Sequence, residues 1–127
     1  MPFVHTETVR FRDVDALGHV NNAAYLTYLE QARIAFLAPF GADQTGMILA
    51  RAEIDFRAQV GFGERVEVEV RPLRVGTKSF ELGYTLRVRG EVVAEAKTVL
   101  VAYDYASGET VAVPDAWRAG LAAEAAE

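Results

Sequence analysis

Between residues 48 and 102 the chain alternates apolar and polar side chains with a period of two, four times over. Ile48, Ala50, Ala52, Ile54 and Phe56 alternate with Arg51, Glu53, Asp55 and Arg57. Val66, Val68 and Val70 alternate with Glu67, Glu69 and Arg71. Phe80, Leu82, Tyr84, Leu86 and Val88 alternate with Glu81, Thr85, Arg87 and Arg89. Ala94, Ala96, Thr98, Leu100 and Ala102 alternate with Glu95, Lys97, Val99 and Val101. A helix repeats every 3.6 residues and cannot sort such a pattern onto one face, whereas a strand does so residue by residue. One apolar and one more polar face per strand predicts an antiparallel sheet covered on one side. Gly61-Phe62-Gly63, Gly76-Thr77 and Gly90-Glu91 break the runs and supply turns.

The cover comes from upstream. Residues 3 to 12 read as a first strand, with Phe3, Val9 and Phe11. Asp13, Asp15, Gly18, Asn21 and Asn22 mark residues 13 to 22 as a loop. Residues 22 to 38 read as a helix, roughly 24 Å long at 1.5 Å per residue. Tyr25, Tyr28, Leu29, Ala32, Ala35 and Phe36 share one broad face, and Thr27, Glu30, Gln31 and Arg33 form only a narrower polar stripe. Such a helix is wrapped on most sides. Val113-Pro114-Asp115 opens a short terminal helix with Trp117 and Leu121 on one side. The expectation is a single α+β domain, residues 1–127, with about five antiparallel strands wrapped around one long central helix. Half of its 127 residues are hydrophobic, enough for a sizeable core.

Composition removes several functions. The net charge of −5 and the lack of a basic run argue against nucleic-acid binding. With no cysteine there is no disulfide, thiol chemistry or cysteine metal site. Two histidines, His5 and His19, are too few for a histidine-rich metal site, so no metal is expected. The N-terminal residues lack a basic start and apolar core, so no secretory signal is read. No apolar run reaches membrane-spanning length, and a cytoplasmic protein without membrane partners is expected.

The stretch RFRDVDALGHVNNAAYLTYLEQAR, residues 10 to 33, carries more polar chemistry than a helix start requires. A helix start needs one capping group. Here two aspartates, a glycine, a histidine and an Asn-Asn pair precede the helix. The arrangement Asp13, Asp15, Gly18, His19, Val20, Asn21, Asn22, Tyr25, followed by Tyr28, Glu30, Ala32 and Arg33, resembles the opening motif of the hotdog-fold acyl-CoA thioesterases, in particular the 4-hydroxybenzoyl-CoA thioesterase-like group. The order of elements is similar over nearly the whole chain, including Lys78-Ser79-Phe80 at the start of the fourth strand.

That resemblance implies hydrolysis of an acyl-CoA thioester to free acid and coenzyme A, with no cofactor beyond the coenzyme A of the substrate. Thioester hydrolysis needs a group that attacks or activates water, and donors for the developing oxyanion. Asp15 is the candidate catalytic carboxylate, as nucleophile or general base. It is anionic at neutral pH, and the positive end of the following helix favours an anion there. A free backbone N–H at the helix start, near Asn22, is the candidate donor to the thioester carbonyl. His19 is a candidate acid or base, or a loop histidine bonding its neighbours. Asp13 reads as a loop carboxylate that fixes the turn. Gly18 supplies backbone freedom or close approach to a ligand, and Tyr25 and Tyr28 are core or pocket wall. Glu30 is the rival carboxylate, or else a partner of Arg33 at i,i+3.

The phosphates of coenzyme A need local positive charge. Lys78, with Thr77 and Ser79, is the first candidate because its hairpin resembles the group's coenzyme-binding segment. Arg57, Arg74 and Arg89 are weaker ones. Ala50 and Ala52 suggest room for the acyl group. A hotdog hydratase or dehydratase, a non-catalytic acyl-CoA-binding protein and an inert assembly protein are the alternatives. Asp15 and His19 lie four apart with no proline between them, unlike the hydratase segment. Unpaired sheet edges need a partner, and the resemblance implies a homodimer or homotetramer with shared sites.

Overall fold

The computed structural model describes residues 2–125. Its elements are β1 (Phe3–Thr8), α1 (Ala24–Leu37), β2 (Met47–Phe56), β3 (Arg65–Val75), β4 (Ser79–Val88), β5 (Glu91–Asp104), β6 (Glu109–Thr110) and α2 (Asp115–Ala125). The first five strands form one antiparallel sheet in the order β1-β3-β4-β5-β2, and β6 pairs with the end of β5. The sheet curls around α1, which gives the hotdog architecture. Among the described residues no helix is long and apolar enough to cross a membrane.

β1 stops at Thr8 rather than running to residue 12. The Asp13 carboxylate accepts the Arg10 amide at 2.9 Å, and Phe11–Asp13 turns as a short 3-10 helix. α1 begins at Ala24 rather than residue 22. Asn21 takes the amides of both Ala23, on its side chain, and Ala24, on its carbonyl, and this turn precedes the regular helix. At its far end Pro39, within a 3-10 turn at Ala38–Phe40, and left-handed Gly41 end the helix.

The broad apolar face of α1 is inside: Tyr25, Tyr28, Leu29, Ala32 and Phe36 are all buried. Arg33 departs from the expected polar stripe. It is 3% exposed, and its Nη1 reaches the Tyr84 hydroxyl at 3.4 Å while Nε has no partner among the described residues. Arg33 and Glu30 therefore do not pair. Tyr84 in turn shares a hydrogen bond of 2.6 Å with Thr98 on β5.

β4 is central and buried on most of its length. β2 is an edge strand, and its expected face needs correction. The pairing shifts between Leu49 and Arg51, so Ala50 is a bulge. Met47 and Leu49, opposite Ala102 and Leu100, share the inner face with Ala52, Ile54 and Phe56, while Ile48 points the other way. That inner face is incompletely covered: Leu49 and Phe56 are each 45% exposed. α2 docks at the end of the sheet that carries the β3–β4 turn. Trp117 meets Phe80 edge-on, and Arg118 donates to the Gly76 carbonyl at 2.8 Å.

Candidate active site

Residues 14 to 20 form a tight reversal between β1 and α1. Val14 and Val20 bridge it, the Asp15 amide donates to the His19 carbonyl at 3.0 Å, and the Gly18 amide donates to the Asp15 carbonyl at 2.9 Å. Gly18 has φ +82°, where a side chain would be strained. Two anchors fix this loop to the body: Val20 donates to Val60 at 2.8 Å, and Asn21 donates to the Asp13 carbonyl at 2.8 Å.

Asp13 is the structural carboxylate of the pair. It is buried and accepts from Arg10 and from the Tyr28 hydroxyl. Burial pushes its pKa up, but the Arg10 amide, the Tyr28 hydroxyl and the Arg10 guanidinium together hold it below the ordinary aspartate value. Tyr28 is pushed well above the usual tyrosine range, first by burial and then by the Asp13 carboxylate it serves.

Asp15 lies at the surface of the loop. Its Oδ1 accepts the Leu17 amide at 3.0 Å and its Oδ2 accepts the Asn21 side-chain amide at 3.4 Å. The carboxylate is therefore aimed from both oxygens. Asn21 does double duty, since its Oδ1 accepts the Ala23 amide at 2.9 Å. In this first turn the amides of Asn21, Ala23, Ala24 and Tyr25 are all spent on the protein, while the Asn22 amide has no partner among the described residues.

A cleft of about 390 Å³ opens here, lined by Asp15, Leu17, His19, Val20, Asn21, Asn22 and Tyr25 from one side. Phe56, Arg57, Ala58 and Gln59, at the end of β2, line the other. The structure thus brings Asp15, Asn22, His19 and Tyr25 together, with Gly18 shaping the loop. The His19 ring is half-buried and bonds to no side chain among the described residues, while its backbone bridges to Gly61. Tyr25 is buried, which pushes its pKa up.

Other candidates lie elsewhere. Glu30 is exposed about two turns along α1, about 12 Å from Asn22 at 1.5 Å per residue, and does not line the cleft. Ala50 and Ala52 do not line it either. The end of β2 does, and its one advance signal was Arg57. That guanidinium is held by Glu95 at 2.9 Å, as Arg89 is by Glu64 at 2.9 Å and Arg74 by Glu81 at 3.5 Å.

Thr77, Lys78 and Ser79 are not in the cleft of their own chain. Val93 accepts the amides of Arg57 and Ala58 at the cleft end of β5, and Lys78 accepts the Ala102 amide near its other end. That stretch of β5 spans about 30 Å at roughly 3.3 Å per residue. Lys78 instead reaches Thr110 at 3.4 Å.

The thioesterase-like superfamily pattern matches residues 9–121. The chain belongs to that family. Its relatives include a 1,4-dihydroxy-2-naphthoyl-CoA hydrolase of Nostoc punctiforme, 31% identical over 91% of this chain and 83% of that one. Another 1,4-dihydroxy-2-naphthoyl-CoA hydrolase, from Thermosynechococcus vestitus, is 32% identical over 97% of this chain and 92% of that one. Among solved structures, a Thermus thermophilus thioesterase complexed with coenzyme A and Zn superposes with a TM-score of 0.89 at 33% identity, covering 98% of this chain and 94% of that one. Its family and relatives make this chain a thioesterase, and the cleft at its helix start is lined by one carboxylate oriented from both oxygens and by a residue whose amide has no partner among the described residues.

Proposed function

We propose that this thioesterase hydrolyses an acyl-CoA thioester at the Asp15 cleft. One observation carries the reading: Asp15, with its carboxylate oriented from both oxygens, and Asn22, whose amide has no partner among the described residues, line the same cleft. The Asn22 N–H, at the positive end of α1, polarises the carbonyl and holds the oxyanion. Asp15 then acts in one of two ways. As a nucleophile it forms a mixed anhydride that water opens; as a general base it takes a proton from the attacking water. In both, the carbon–sulfur bond breaks, the thiolate of coenzyme A leaves and takes up a proton, and one water is consumed to give the free acid with Asp15 regenerated. The names of the Nostoc and Thermosynechococcus relatives support an aromatic acyl group.

The working unit in this proposal is at least a dimer, paired along the exposed edge of β2. The half-exposed Leu49 and Phe56 on its inner face support that pairing. Antiparallel pairing of β2 with its copy reverses the ends of the second sheet. The partner copy's β3–β4 turn then arrives at the end where this chain holds Asp15, about three strand spacings away, or roughly 14 Å. Thr77, Lys78 and Ser79 serve the coenzyme A portion from there.

The test is a hydrolysis screen over aryl- and alkyl-CoA thioesters, reading released thiol. Asp15→Asn should lower kcat by about 10² to 10⁴ with the fold retained, and Glu30→Gln should cost much less. The reverse ranking would move the active carboxylate onto α1 and overturn the assignment.

A further inference from the structure

The two tyrosines on the inner face of α1 differ in one respect. The Tyr28 hydroxyl is spent on Asp13 at 2.8 Å. The Tyr25 hydroxyl has no hydrogen-bond partner among the described residues, although the residue is only 3% exposed and lines the cleft. The hydroxyl is not sealed in: the little of Tyr25 that is exposed includes this atom, so it is free to take a partner from outside the chain.

Burial along the cleft shows which part of a substrate meets it. Of the lining residues only Val20 and Tyr25 are buried, so these two form its floor, while Asp15, Leu17, Asn22 and Gln59 lie at the exposed rim. Coenzyme A is large and highly charged and stays toward solvent. The acyl end is the part that reaches the floor. The Phe56 ring stands edge-on to Tyr25 at 5.0 Å between centroids, with an interplanar angle of 78°, and part of it is open to the cleft. A flat aromatic acyl group meets favourable edge and face contacts between such rings.

We infer that Tyr25 is a specificity residue, whose hydroxyl recognises an oxygen substituent on an aromatic acyl group. This rests on the acyl-CoA reading above and names the class of acyl group. The hydroxyl is a neutral donor under working conditions, since burial moves its ionisation further from neutrality. The oxyanion is served separately by the Asn22 amide, one turn earlier. An acyl group without the oxygen leaves the hydroxyl unpaired, and discrimination of this kind exceeds what apolar pocket walls alone provide.

The experiment compares Tyr25→Phe with the unchanged protein on hydroxybenzoyl-CoA, benzoyl-CoA and hexanoyl-CoA. Tyr25→Phe keeps the ring and its packing and removes one oxygen. kcat/KM for hydroxybenzoyl-CoA should fall about tenfold, the worth of one neutral hydrogen bond, while benzoyl-CoA and hexanoyl-CoA change less than about twofold. An equal fall on all three substrates, or no fall on hydroxybenzoyl-CoA, overturns the inference. Calorimetric binding of non-hydrolysable thioether analogues of the two aryl substrates separates it from the hydrolase reading. Tyr25-dependent preference for the hydroxylated analogue without turnover of any thioester would sink the hydrolase reading and keep this one. Equal binding of the two analogues to the unchanged protein would overturn this one.

Discussion

The Tyr28 hydroxyl donates to the Asp13 carboxylate across 2.8 Å, and both residues are buried. Through this bond the first turns of α1 hold the residue two positions before Asp15. Asp13 also closes the Arg10 turn, so one carboxylate joins the end of β1, the Asp15 loop and the helix.

Stability should therefore depend on pH through this pair. Asp13 has a lower pKa folded than unfolded, so its contribution is present above the ordinary aspartate pKa near 3.8 and is lost as pH falls through the depressed folded value. Tyr28 has a raised pKa, so its contribution is present below the ordinary value of 10.0 and is lost only as pH rises through the higher folded value. Tyr28→Phe removes one of the groups that lower the Asp13 pKa. Urea unfolding across pH should show a loss of about 1–3 kcal/mol at neutral pH that shrinks toward pH 2. A loss equal at every pH would mean that the carboxylate is not involved.

Asn21 links helix start to carboxylate, and two substitutions separate its jobs. Asn21→Ala removes both the acceptor for Ala23 and the donor to Asp15. It should cost about 0.5–2 kcal/mol of stability and lower kcat. Asn21→Asp keeps the acceptor but sets a second carboxylate against Asp15. It should keep most of the stability in thermal melts and still lose activity. Full activity in Asn21→Asp would show that Asp15 needs no aiming from this side.

Gly120 on α2 tests packing outside the cleft. A Cβ there would come within 2.2 Å of the Phe40 ring. Gly120→Ala should destabilise by about 1–3 kcal/mol through overpacking, with the kcat of the folded protein unchanged, because neither Gly120 nor Phe40 lines the cleft. A matched loss of kcat would point to coupling between the two places.

What the sequence made legible follows physical range. The alternation of β3, β4 and β5 was readable because each strand's two faces meet different surroundings. The Asp13-to-Asn22 loop was readable because glycine and short polar residues act on their own neighbours. The phase of β2 was not, since the bulge at Ala50 depends on pairing with β5. Phe56 to Gln59 reach the cleft only because Val93, far along the chain, accepts the Arg57 amide. Arg33 was misplaced because charged side chains seldom bury, and only the curl of the sheet over Tyr84 and Thr98 encloses it. β6 is two residues long, too short for any period.

The separation of Lys78 from Asp15 along β5 yields the sharpest prediction. Lys78→Ala alone should raise KM for acyl-CoA more than it lowers kcat, since a contact to a remote part of the substrate counts about equally in ground and transition states. It should matter little on a pantetheine thioester that lacks the nucleotide. Mixing then decides whose lysine serves whose aspartate. In a dimer of one Asp15→Asn subunit and one Lys78→Ala subunit, shared sites sort unequally. One site receives an intact Asp15 from the Lys78→Ala subunit and an intact Lys78 from its partner, and the other site lacks both. Mixed dimers should therefore regain an acyl-CoA KM equal to that of the unchanged protein, at about half its kcat per dimer. If each lysine served its own chain, the only active site would be the one lacking Lys78, and KM would stay high. A light-scattering mass for a fully active monomer would reject the shared site altogether.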